Sequence, residues 1–182
     1  YVNHNPFFSV SICLAFEGEP ITGVVFAPFI EEFAVARKGN GCTLNGRPVH
    51  VSETNSLSKS YIVGCPGGEK NNIRFSDMSY SLNTAIKDFR KMGSAAIEAY
   101  TVAAGRVDSF VTLNIPCWDV AAGALCVQEA GGVVTDFQGN AWNMETSDLC
   151  MSNGLIHGEV LEQLQDLAQA EADPRVPVNL AS

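Results

Sequence analysis

Apolar positions in the first fifty residues fall in short runs cut by turn residues. Phe7-Phe8-Ser9-Val10-Ser11-Ile12-Cys13-Leu14 is apolar and branched, and Glu17-Gly18-Glu19-Pro20 interrupts it. Ile21 to Pro28 and Glu32 to Arg37 read as two more strands, followed by a turn at Lys38-Gly39-Asn40-Gly41. Cys42-Thr43-Leu44, a tight Asn45-Gly46 turn and Pro48-Val49-His50-Val51 continue the pattern. Short strands separated by Gly, Asn and Pro turns predict an antiparallel meander over residues 1–52.

Past Ser52 the period changes. Helices are expected at Ile73 to Leu82, Ser94 to Ala104, Asp119 to Ala130 and Ile156 to Ala168. In the last of these Ile156, Val160, Leu164 and Leu167 recur at helical spacing and Asn153 is available as the cap. Strands are expected at Ile86 to Arg90, Val107 to Val111, Val133 to Asp136 and Leu149 to Ser152. Such alternation over residues 53–170 builds an α/β sheet with helices on its faces. Asp173-Pro174-Arg175-Val176-Pro177 breaks the final helix, so residues 171–182 read as a loose tail.

Composition narrows the function. A hydrophobic fraction of 46% and a charged fraction of 17% exclude disorder for the chain as a whole. Eleven Lys+Arg against twenty Asp+Glu leave a net charge of −9, which argues against direct binding of nucleic acid or anionic lipid. A phosphorylated small molecule stays compatible, because a bound cation can supply the positive field. No apolar run reaches the roughly 18–20 residues of a membrane span. The start shows neither a basic leader nor an apolar signal core, and the six cysteines lack C-x-x-C spacing. The scattered cysteines, most of them among apolar neighbours, make a reduced, cytoplasmic compartment the expectation.

The informative stretch is Cys117 to Gly132. Asp119 opens a helix that is apolar for two turns. As a first-turn acid it can cap free N–H groups, or stand at a cleft rim as a ligand for a hard cation, and the two roles are compatible. Trp118 beside it reads as a core aromatic. Gly93-Ser94-Ala95-Ala96 begins a second small-residue helix, either for close packing or as an open helix start that meets an anion or a hydroxylated ligand. Cys65-Pro66-Gly67-Gly68 reads as a turn, Glu31-Glu32 as a solvated edge, and Lys59, Lys70, Arg74 and Lys91 as too dispersed for a phosphate clamp. The three histidines have no zinc spacing.

Trp118 to Gly132 also fits W-D-x-A-A-G-x-x-x-x-x-E-A-G-G, the signature of the inositol monophosphatase-like, magnesium-dependent, lithium-sensitive sugar phosphatases, and the chain resembles that family. Resemblance extends to Gly93 through Ala96, to Ala103-Ala104-Gly105-Arg106-Val107-Asp108, and to the meander from Pro6 through Gly46. It implies a layered α-β-α-β-α sandwich of the α+β kind and hydrolysis of inositol monophosphate or a related sugar phosphate. It also implies two or three Mg²⁺ ions and a homodimer. On the same basis Asp119 is a metal ligand that also meets substrate, with Gly93, Ser94 and Ala95 on the substrate side. Thr112 falls where many inositol-specific relatives carry a Glu that bonds substrate hydroxyls.

The family's D-P-[IL]-D-G-T motif does not occur in these residues. Tyr1-Val2-Asn3-His4-Asn5-Pro6 resembles the text that follows that motif, so the expectation is a chain lacking its first helical layer and inactive alone. An alternative is an inactive homologue that acts as a protein-binding module, since some bacterial members act in RNA-polymerase and ribosomal-RNA regulation.

Overall fold

The computed structural model describes residues 4–172. Tyr1 to Asn3 and nearly all of the expected loose tail therefore lie outside the described residues. Within them, β1 (Val10–Phe16), β2 (Glu19–Ala27), β3 (Glu32–Arg37), β4 (Cys42–Leu44) and β5 (Arg47–Val49) form an antiparallel sheet in sequential order. Asn45 and Gly46 both take left-handed backbone angles, the two-residue hairpin turn that the sequence predicts. The first strand begins at Val10 rather than Phe7, because Phe7 to Ser9 leave the sheet and line a cleft described below.

The second sheet has the order β7-β6-β8-β10-β9. Its strands β6 (Tyr61–Cys65), β7 (Asp88–Arg90) and β8 (Ser109–Thr112) are parallel, while β10 (Leu149–Ser152) runs antiparallel to β8 and to β9 (Val133–Asp136). Helices α1 (Asn72–Ala85), α2 (Ala95–Ala103), α3 (Cys117–Glu129) and α4 (His157–Ala172) complete the fold. The last helix runs past the expected end at Ala168, taking in the first two residues assigned to the tail. At its start the Asn153 side chain accepts the Leu155 and Ile156 N–H groups, as its position predicts.

Side-chain alternation sorts these elements into layers. Val63, Phe110 and Met151 point from the second sheet into a core shared with α2, α3 and the inner face of the first sheet. Ile62, Val111 and Cys150, one residue over, point to the opposite side and pack on Phe75, Met78 and Leu82 of α1, on Val160 and Leu164 of α4, and on Ile156 just before it. The order is thus sheet, α2/α3, sheet, α1/α4, an α+β sandwich. Close packing in the middle depends on missing side chains: a Cβ on Gly23 would lie 2.7 Å from the Ala122 carbonyl oxygen, so only glycine lets β2 and α3 meet.

Between the two sheets the crossover is tied by a polar knot. Asp108 accepts hydrogen bonds from the Ser52 hydroxyl and the Tyr61 N–H, and Asn153 donates to Ser52 and to the Thr54 carbonyl. The outer face of the first sheet is bare among the described residues. Val10, Ile12, Leu14 and Phe16 are 53–66% exposed there, with Phe26 and Phe33 beside them.

Candidate functional site

A cleft of about 630 Å³ opens where the C-terminal end of β6 and the first turns of α2 and α3 meet the segment before β1. Two helix N-termini face it, and neither carries a side-chain cap: α2 is entered through Ser94 and α3 through Pro116. Their first-turn N–H groups and positive dipole ends make the cleft receptive to oxygen anions. That field matters in a chain of net charge −9.

Asp119 lies in the first turn of α3 and lines the cleft. The capping reading does not hold: Pro116 is the cap residue, and no hydrogen bond to the Asp119 carboxylate occurs among the described residues. Partial burial raises its pKa above the ordinary aspartate value. An uncommitted carboxylate at a positive helix end is a competent oxygen ligand for a hard divalent ion. It is also alone, since no group of three or more His, Cys, Asp or Glu able to hold a metal occurs among the described residues.

Gly93, Ser94 and Ala95 line the same cleft. The Ser94 hydroxyl stands 3.4 Å from that of Ser9, bringing the start of α2 against the segment before β1. Thr112 is not brought there. It is fully buried, with its hydroxyl 3.2 Å from the sulfur of Cys65, which does line the cleft. The Thr112 side chain is not among those that line the cleft, so the expected substrate contact at Thr112 gains no support there. Trp118 is corrected: it is 71% exposed and forms a wall of the cleft rather than core. Position 118 is the second residue of an uncapped helix and turns away from the face that α3 buries.

Several lining residues escaped the sequence reading. Phe7, Phe8, Ser9 and Ser11 come from the segment assigned to the first strand, and Pro66, Gly67 and Gly68 from a stretch read only as a turn. Lys91 reads from the sequence as too dispersed for a phosphate clamp. It reaches the cleft wall, with its ammonium 5.7 Å from the Phe75 ring centroid. A turn that follows the carboxyl end of a central parallel strand is the available signal for such residues. Burial pushes the Cys65 thiol up to about 11, which disfavours the reactive thiolate.

The second acid of the signature has another task. Glu129 ends α3, and its carboxylate accepts N–H groups from Gly39, Asn40 and Gly41 in the turn between β3 and β4. Ten residues of helix, roughly 15 Å, separate it from Asp119. Glu32 likewise is no solvated edge: it accepts the Tyr100 hydroxyl and pairs with Arg106 at 2.6 Å.

Comparison with known proteins places this geometry. The profile of the inositol monophosphatase family matches residues 1–169. The chain belongs to the inositol monophosphatase family. A fructose-1,6-bisphosphatase/inositol-1-monophosphatase of Thermotoga maritima is 39% identical over 170 residues, covering 93% of this chain and 64% of that protein. A protein of Pasteurella multocida named Nus factor SuhB is 35% identical over 169 residues, covering 91% and 62%. Among solved structures, an IMPase of Thermotoga maritima superposes with a TM-score of 0.84 at 38% identity, covering 90% of this chain and 63% of that one. An inositol monophosphatase of Anabaena gives 0.84 at 35% identity, covering 91% and 66%. The chain thus spans about three fifths of the length of the curated relatives it matches. The inositol monophosphatase family is a family of phosphatases. No described helix is long and apolar enough to cross a membrane, and all six cysteines are free.

Proposed function

We propose that the cleft at Asp119 is the substrate side of a Mg²⁺-dependent phosphomonoesterase site that hydrolyses inositol monophosphate or a related sugar phosphate. The observation that carries this reading is the Asp119 carboxylate, without a hydrogen-bond partner among the described residues, in a cleft faced by two uncapped helix starts. Asp119 would hold one Mg²⁺, which when bound supplies Lewis-acid neutralisation of the phosphate charge. One carboxylate is fewer ligands than a tight octahedral site needs. The activity therefore requires oxygen ligands beyond those described, and these 182 residues alone are expected to release little or no phosphate.

The residues of the chain would share the remaining work. Ser94, at the start of α2, would donate to and accept from sugar hydroxyls, and the first-turn N–H groups at Ala95 and Ala96 would meet anionic oxygen. Trp118 and Phe8 would shield the sugar ring from water. The uncovered apolar face of the first sheet supports a second reading, a surface that binds another protein, which the SuhB name of several relatives also suggests.

Replacing Asp119 by Asn in the full-length protein tests the first reading. Mg²⁺-dependent phosphate release from inositol monophosphate should fall at least about a hundredfold with the fold intact. Unchanged turnover at saturating Mg²⁺ would remove Asp119 from the metal site.

A further inference from the structure

Glu98 sits on the first turn of α2 and is fully buried. Its Oε1 accepts N–H groups from Met92 at 2.7 Å and Gly93 at 3.1 Å. Its Oε2 is buried with no hydrogen-bond partner among the described residues. A carboxyl group in that environment is expensive, and a Leu or Met would fill the same space without the cost. The acid must therefore be doing something that an apolar side chain cannot.

What it holds is the segment between β7 and α2. That segment turns through the left-handed region at Gly93, φ +88°, and delivers Lys91, Gly93 and Ser94 to the cleft wall. The titratable groups acting on the carboxyl are the Cys65 thiol and the Lys91 ammonium, and both residues also line the cleft. Burial pushes the Glu98 pKa up to about 7, against the two amide hydrogen bonds that favour its ionised form. Glu98 thus reaches the cleft wall from behind, touching neither the opening nor Asp119.

We propose that Glu98 is a positioning residue: by gripping the Met92 and Gly93 amides it holds Lys91 to Ser94 in the shape that receives substrate. The proposal rests on reading the cleft as a phosphomonoesterase site. Without the grip the segment relaxes, substrate affinity falls, and the Asp119 side keeps its chemistry. The consequence is a rise in KM with kcat little changed.

The test uses the full-length protein and three variants. Glu98→Leu removes both acceptors, Glu98→Asp shortens their reach, and Glu98→Gln keeps one amide oxygen for the two N–H groups. Amide hydrogen exchange by NMR reads the segment directly. KM and kcat for inositol monophosphate at saturating Mg²⁺ read the site. In Glu98→Leu, protection at Met92 and Gly93 should fall about tenfold or more while Val102 and Ala103 keep theirs. KM should rise about fivefold or more with kcat within about twofold, and Glu98→Gln should restore both readouts. Glu98→Asp should shift the same readouts in the same direction, so the proposal survives a Leu variant that fails to fold. Protection or KM within about twofold of the parent in both Leu and Asp variants would overturn it. A parent protein that releases no phosphate would sink the proposed activity instead, and the exchange pattern alone would then decide whether Glu98 holds the segment.

Discussion

Glu129 offers a direct test of why the signature carries an acid ten residues from the cleft. A carboxylate at the last residue of a helix faces the negative end of the dipole, at a cost of about 0.3–1 kcal/mol. Three N–H groups from the turn between β3 and β4 offset this: Gly39 at 2.7 Å to one oxygen, Asn40 at 3.1 Å and Gly41 at 2.8 Å to the other. Glu129→Gln keeps one accepting oxygen and puts an NH₂ group against the remaining donor or donors. One or two charge-assisted bonds are lost, each worth roughly 1.5–3 kcal/mol, and relief from the dipole returns about 0.5 kcal/mol. The half-buried setting puts the result at the lower end, a net loss of about 2 kcal/mol. For a chain of this size that corresponds to a fall in Tm of about 4–8 °C. Urea and thermal unfolding followed by far-ultraviolet circular dichroism would measure it. A Gln variant within about 0.5 kcal/mol of the parent would refute the clamp, because the three N–H groups would then be satisfied without the carboxylate.

Two further outcomes follow from packing and burial. Gly23→Ala should destabilise the protein by about 2–3 kcal/mol in the same unfolding assays, since the new methyl meets the Ala122 backbone rather than a side chain that can move aside; no loss would mean that β2 and α3 separate freely. His157 is buried between the Ser152 and Thr135 hydroxyls, and burial lowers its pKa below the ordinary histidine value. The unfolded chain takes up that proton first on acidification, so the His157 contribution is fully present above about pH 6.5 and is lost as pH falls through the folded pKa. His157→Gln should flatten the decline in unfolding free energy between pH 7 and pH 5, and an unchanged slope would show that another group causes it.

The elements and their order were legible because local chemistry decides them. Asn45-Gly46 makes its hairpin turn, Asn153 caps the approach to α4, and the small-residue runs after Ser94 and Asp119 form helices. The Trp-Asp signature pointed to the family and to Asp119 before any coordinates. Fold class and family were therefore properties of the text. Which side chains share the cleft was not. Phe8, Gly67, Lys91 and Ser94 are separated by up to 86 residues and meet only because parallel strand order and two helix starts bring loops to one edge. Burial, too, was decided in three dimensions: it encloses Thr112 against Cys65, turns Trp118 outward and strands the Glu98 carboxyl inside. Helical and strand periods fix a side chain's angle about its own axis, but what lies along that direction is supplied by another layer of the fold.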